Sequence, residues 1–253
     1  EWGVDETISE EPINWFEKTD IAPIKQSTTA SNSINTSTTP KAKSTPHLAT
    51  HQETVSQATS VAAKCTTLDE LKAAILEFDG CSLKKTASNT VFCDGNPDSD
   101  IMVIGEAPAD KEDLEGKPFI GEPGQLLDKM FAAIDLSREK DFYITNLMPW
   151  RPPGNRKLTD TECEICLPFL KRHIELFAPK IIILVGATSA KALMNTTDGI
   201  TKIHGKWKEY DLSDSQVPMV AIFHPAYLIR QPQFKKQTWH DLLDIKSKIM
   251  ELK

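Results

Sequence analysis

Apolar residues along this chain gather into short runs, and their spacing changes from helical to continuous and back. Leu68, Leu71, Ala74, Ile75 and Phe78 recur at helical spacing behind Thr67, which with Glu70 reads as an N-terminal cap, and Gly80 ends the run. After a polar connector at 83–89, Ile101-Met102-Val103-Ile104 is an uninterrupted, branched run of the length a buried strand has. Three later runs share that character, at 142–145, 181–185 and 218–223. Helical patterns lie between and after them, over Asp160–Phe177, 189–194 and 238–252. Strands alternating with helices predict an α/β domain built on a mainly parallel sheet.

The first 65 residues read differently. From Gln26 to Ser60 the chain is mostly Ser, Thr, Asn, Gln and Pro, a composition too poor in large apolar groups to offset the entropy of ordering. We therefore divide the chain into a disordered tail, 1–65, and a domain, 66–253. Trp2 and Ile13-Asn14-Trp15-Phe16 in the tail are either stray aromatics or a short motif that folds onto a protein partner. The start at Glu1 reads as the product of processing or trimming.

Composition narrows the function classes. The 253 residues carry a net charge of −7, so no global field draws in nucleic acid, although local basic clusters still can. No apolar run approaches the roughly 20 residues that span a bilayer. Five cysteines at irregular spacing argue against a secreted disulfide framework and for a reducing, cytoplasmic setting.

Candidate chemistry sits where the apolar runs end. The first run breaks at Gly105 into a long loop that begins with Glu106, holds Asp110, Glu112, Asp113 and Phe119, and regains a helical pattern only at Gln125. Asn146 follows the second run and His224 follows the last. Ligands of parallel α/β sheets bind beyond the carboxyl ends of the strands, so three such groups after three strands predict one site.

The segments GEAPADKEDLEGKPFIGEPG, NLMPWRPPGNR and FHPAYLIR, in this order, resemble the motifs of the uracil-DNA glycosylase superfamily, and of its family 4 above all. The resemblance runs from about Thr67 to the end of the chain and omits the tail. It implies a four-stranded, mainly parallel sheet sandwiched by helices and the excision of uracil from DNA, in a monomer. Matched position by position, Glu106 would orient or activate water and Phe119 would stack on the flipped base. Asn146 would read the uracil edge and His224 would stand beside its O2. Pro225 to Arg230, with Tyr227, Leu228 and Arg230, match the loop that presses into the DNA, and Asn155 lies in the family's Pro-Pro-Gly-Asn-Arg segment; Arg151 and Arg156, basic residues in loops flanking the motifs, are candidates for phosphate contact. Lys202, Lys206 and Lys208 around His204 are further phosphate candidates, while His173 and His240 are expected on helix surfaces. With no lysine in a motif position to form a Schiff base, the implied enzyme is monofunctional. Two alternatives stay open: a DNA-binding module of this fold without catalysis, and a glycosylase for other deaminated bases.

One departure concerns a cofactor. Family 4 members usually hold an iron–sulfur cluster on four cysteines; the matching positions here are Phe78, Cys81, Trp150 and Cys166. Two thiolates cannot hold a four-cysteine cluster. A rearranged set of Cys81, Cys93, Cys163 and Cys166 is conceivable, but the expectation is no metal, with Phe78 and Trp150 packing as apolar filler.

Overall fold

The computed structural model describes residues 50–252 except Asp214, so the aromatic motif expected in the tail lies outside the described residues. In chain order the elements are α1 (His51–Lys64), α2 (Leu68–Glu77), β1 (Cys93–Gly95), β2 (Ile101–Gly105), α3 (Asp110–Glu115), α4 (Glu122–Ala132), β3 (Tyr143–Asn146) and α5 (Asp160–Phe177). They continue as β4 (Ile181–Val185), α6 (Ala187–Met194), α7 (Ile200–Ile203), β5 (Trp207–Leu212), β6 (Ser215–Ile222), α8 (Pro225–Arg230) and α9 (Lys235–Glu251). No helix among them is long and apolar enough to cross a membrane.

Among the described residues the sheet has six strands, in the order β1-β3-β2-β4-β6-β5. The four expected strands form its centre and run parallel. The two additional strands pair antiparallel at the edges. They escaped the sequence reading because β1 is three residues long and β5, Trp-Lys-Glu-Tyr-Asp-Leu, is largely exposed and charged, as edge strands commonly are. The central strands are apolar throughout because both their faces are covered. Ile101 and Val103 of β2, with Ile181, Ile183 and Val185 of β4, face a core shared with α4, α8 and α9. Met102, Ile104, Ile182 and Leu184 face the opposite core, shared with α5, α6 and α7.

A third core corrects the boundary placed at residue 65. The stretch assigned to the tail includes α1, which Thr50 and Glu53 start with a reciprocal capping box. The helix buries Thr54, Ala58 and Ala62 and packs along α5. Arg172 of α5 then holds the Cys65 carbonyl through two N–H bonds of 2.9 and 2.7 Å. Small side chains allow this close approach, and for the same reason they give a weak hydrophobic period. The cap expected at Thr67 does accept the Glu70 N–H, at 3.2 Å.

Two further expectations change. The long loop after β2 contains α3, and α4 begins at Glu122 rather than Gln125. His173, expected at the surface, is buried: its Nε2 lies 2.8 Å from the Tyr143 hydroxyl and its ring stacks on Phe92. Burial pushes its pKa down to about 3, so it is a neutral core histidine.

Candidate active site

The parallel strands deliver their last residues to one edge of the sheet. Gly105 ends β2 directly beside Asn146, the last residue of β3. Val185 of β4 pairs with Ile222 of β6, so Gly186 and the Phe223-His224 turn leave the sheet together. Two glycines bring the side chains into contact. A Cβ on Gly105 would lie under 3.0 Å from both the Asn146 Oδ1 and the Phe119 ring, so these two groups meet over the bare backbone. Gly186, at φ 102°, leaves the His224 Cβ 3.3 Å from where its own would be. The Phe119 and His224 rings have centroids 5.7 Å apart.

Asn146 is the informative member. It is buried, and its Oδ1 has no hydrogen-bond partner among the described residues. A buried acceptor left unpaired costs about 1–3 kcal/mol, so this oxygen is open to a donor from outside the chain, a water or a bound ligand. An amide edge presents an acceptor and a donor side by side, the complement of a lactam such as uracil O4 and N3–H.

His224 is fixed both in charge and in tautomer. As the cap of α8 its Nδ1 accepts the Ala226 N–H at 3.1 Å, so the ring proton of the neutral form is on Nε2. Burial, assisted by the Arg230 charge, lowers its pKa to about 4. At neutral pH it therefore offers one N–H donor and no charge.

Glu106 follows Gly105 but faces the adjoining cleft, of about 440 Å³, bounded by Leu158 and Cys163 on one side and Ala187, Thr188 and Lys191 on the other. Ala187, which lines that cleft, directly follows Gly186, the residue packed against His224. The Cys163 thiol is pushed up to about 11, first by burial and next by the Glu106 carboxylate, so it is an inert neighbour.

A model of the uracil-DNA glycosylase superfamily matches residues 92–243. The chain belongs to that superfamily. It is 38% identical over 182 residues to a type-4 uracil-DNA glycosylase of Archaeoglobus fulgidus, covering 70% of this chain and 91% of the relative. It is also 38% identical to one from Saccharolobus solfataricus over 71% of this chain and 85% of the relative. A Sulfurisphaera tokodaii type-4 enzyme is 34% identical, over 71% and 83%.

Against the superfamily motifs, the residues expected at DNA divide into two groups. Arg151 is ion-paired with Asp110 and donates from Nε to Asn155 Oδ1 at 2.7 Å, while Asn155 Nδ2 donates to Asp110 at 2.7 Å. This closed ring ties the loop after Glu106 to the Pro-Pro-Gly-Asn-Arg turn. Arg156 clasps both oxygens of Glu162 at 2.9 and 2.6 Å, and that bond chiefly lowers the Glu162 pKa to about 2. Leu228 corrects an expectation: it is 1% exposed and packs in the core, because a helix capped at His224 turns its fourth residue inward. Ile229 and Arg230 are the side chains α8 exposes. Tyr227 stacks on Phe223 and also contacts Phe234. Sequence reasoning gave no role to Arg138, and treated Glu112 only as one more acid in the loop.

The four positions that match the superfamily's cluster ligands lie together in the third core, but they do not fit a cluster. Phe78 and Trp150 are buried there beside Cys81 and Cys166. Phe78 meets Phe169 edge-on at 5.0 Å, and Trp150 Nε1 donates to Thr90 at 2.9 Å. The Cys166 thiol lies 3.5 Å from Met148 Sδ, and its bond to Cys81 together with burial raises its pKa. The rearranged set fails as well. Cys163 is on the Glu106 cleft and Cys93 is beside Tyr143, and no described group of three or more Cys, His, Asp or Glu could hold a metal ion.

Proposed function

We propose that this protein excises uracil from DNA by hydrolysing the N-glycosidic bond, without cutting the strand. The observation that carries this reading is the unpaired, buried amide oxygen of Asn146 beside the Phe119 ring. The target base leaves the duplex at a cost of a few kcal/mol, and stacking on Phe119 recovers part of that. Asn146 accepts from N3–H and donates to O4. Cytosine presents the reverse edge and would leave both groups unpaired.

Bond cleavage leaves negative charge on the departing base and positive charge on the sugar. The neutral His224 Nε2–H donates to O2 and stabilises the anion; one such fixed donor is worth about 3–4 kcal/mol. Glu106, in the cleft beside the base site, holds the attacking water and favours the cationic sugar, as carboxylates do in glycoside hydrolysis. Arg230 and Ile229 meet the DNA beside the flipped nucleotide. Arg151 and Arg156 reach phosphate only by exchanging their carboxylate partners for it.

The same reading includes catalysis without an iron–sulfur cluster, supported by the apolar packing of Phe78 and Trp150 at two of the four ligand positions. The test is incubation with labelled single- and double-stranded DNA carrying one uracil, followed by alkali. Cleavage at the uracil supports the proposal; tight binding with intact DNA indicates a module without catalysis and refutes it. Iron analysis and absorbance near 400 nm test the cluster in the same preparation.

A further inference from the structure

Phe119 occupies a backbone conformation that its side chain does not favour, with φ 54° in the left-handed region. Such a residue stays in place only if its neighbours are held on both sides. The two N–H groups after it, of Ile120 and Gly121, donate to Glu112 Oε1 at 3.0 and 2.9 Å, and Glu112 is itself buried. The two carbonyls at and before it, of Phe119 and Pro118, accept from Arg138 at 2.8 and 2.9 Å. Gly124 supplies the room, since a Cβ there would overlap the Phe119 carbonyl.

Arg138 has no donor to spare. Its Nε and one Nη2 hydrogen go to Asp128 Oδ1, at 3.0 and 2.8 Å. One Nη1 hydrogen goes to Asp94 at 3.2 Å, and the other two terminal hydrogens take the two carbonyls. All five guanidinium N–H groups are thus used inside the protein, in a side chain 12% exposed. A basic residue in a DNA-processing protein is usually assigned to phosphate; this one is fully committed to α4, β1 and the Phe119 loop.

We infer that Arg138 is a positioning residue for base recognition: it locks the strained Phe119 backbone so that the stacking platform is formed before the base arrives. The inference rests on the proposed uracil-excising activity. A lysine cannot replace it, because three donors on one point cannot satisfy five directions.

The test compares wild type, R138Q, F119A and the double variant by inhibition with free uracil and by affinity for DNA carrying an abasic site. R138Q is expected to weaken uracil inhibition about tenfold, within what one base–aromatic stack is worth. Its affinity for abasic DNA stays within about twofold of wild type, and R138Q adds little to the loss in F119A, because both act on one platform. Wild-type uracil inhibition in R138Q overturns the inference, as does an equal loss of uracil and abasic-DNA binding, or full additivity with F119A. If R138Q lacks a cooperative thermal transition, D128N takes its place; Asp128 is 43% exposed and its loss loosens the same fork. A wild-type protein that neither excises nor binds uracil refutes the parent reading. Normal wild-type excision with an unaffected R138Q refutes this inference alone.

Discussion

Adding one methyl group at Gly105 tests whether the edge of the sheet is a recognition site. Gly105 ends β2 in register with Asn146, and an added Cβ would lie closer than 3.0 Å to both the Asn146 Oδ1 and the Phe119 ring. Neither neighbour can give way freely, since Asn146 is the last residue of a buried strand and Phe119 is clamped at four backbone groups. One of them must therefore move by on the order of 1 Å, a displacement that costs about 100-fold in rate when it affects the positioning of reacting groups. Overpacking costs about 1–3 kcal/mol of stability, which leaves a domain of this size folded. G105A should thus retain a cooperative melt, lose about two orders of magnitude in single-turnover excision, and bind free uracil more weakly. If G105A excises uracil within about threefold of wild type, the base does not sit over Gly105 and the site is wrongly placed.

The same geometry sets three other outcomes. H224L, unable to donate, should slow excision by about 10²–10³-fold while retaining DNA affinity; NMR titration of the wild-type ring should give a pKa near 4, and titration near 6.5 would refute the burial argued to lower it. His173 has a folded pKa lowered to about 3 against about 6.5 unfolded, so the unfolded chain binds the extra proton between those values. Stability is therefore complete above about pH 6.5 and falls on acidification towards pH 3, by at most about 1.4 kcal/mol per pH unit from this group. His224 acts in the same sense down to about 4, and urea melts of H173F should show a shallower slope than wild type. W150A should cost about 3–5 kcal/mol and W150F about 1–3 kcal/mol, the latter from the lost bond to Thr90 together with the volume left unfilled, as measured by denaturant unfolding.

Much of this arrangement was legible because the central strands are buried on both faces and end in polar residues. Short branched runs such as Ile181–Val185 read as interior strands, and the residues just past parallel strands lie at one edge; Asn146 and His224 stand there with Phe119, while Glu106, expected with them, faces the adjoining cleft. The less visible parts depend on contacts that leave no periodic trace. Helix α1 packs through alanines, His173 hides in a helix that is otherwise amphipathic, and Leu228 follows a histidine whose capping bond rotates the next turn inward. Arg138, in the polar turn 137–141, carries no local pattern at all, because its partners come from β1, α4 and the Phe119 loop.

The segment after β3 shows how the site is joined to the core beneath it. Leu147 and Met148 donate their N–H groups to the carbonyls of Gly105 and Glu106, at 3.0 Å each, so the backbone carrying Asn146 also positions the start of the Glu106 loop. Two residues on, Trp150 enters the third core next to Phe78, Cys81 and Cys166. Immediately beyond it, Arg151 and Asn155 reach back to Asp110 on the far side of that loop. A cluster thiolate at the Trp150 position would anchor this segment by one metal–sulfur bond; the indole there instead fills apolar volume and donates to Thr90. The placement of Asn146 and of the start of the Glu106 loop thus depends on packing at a distance from either, through backbone bonds and a buried indole that run continuously into the third core.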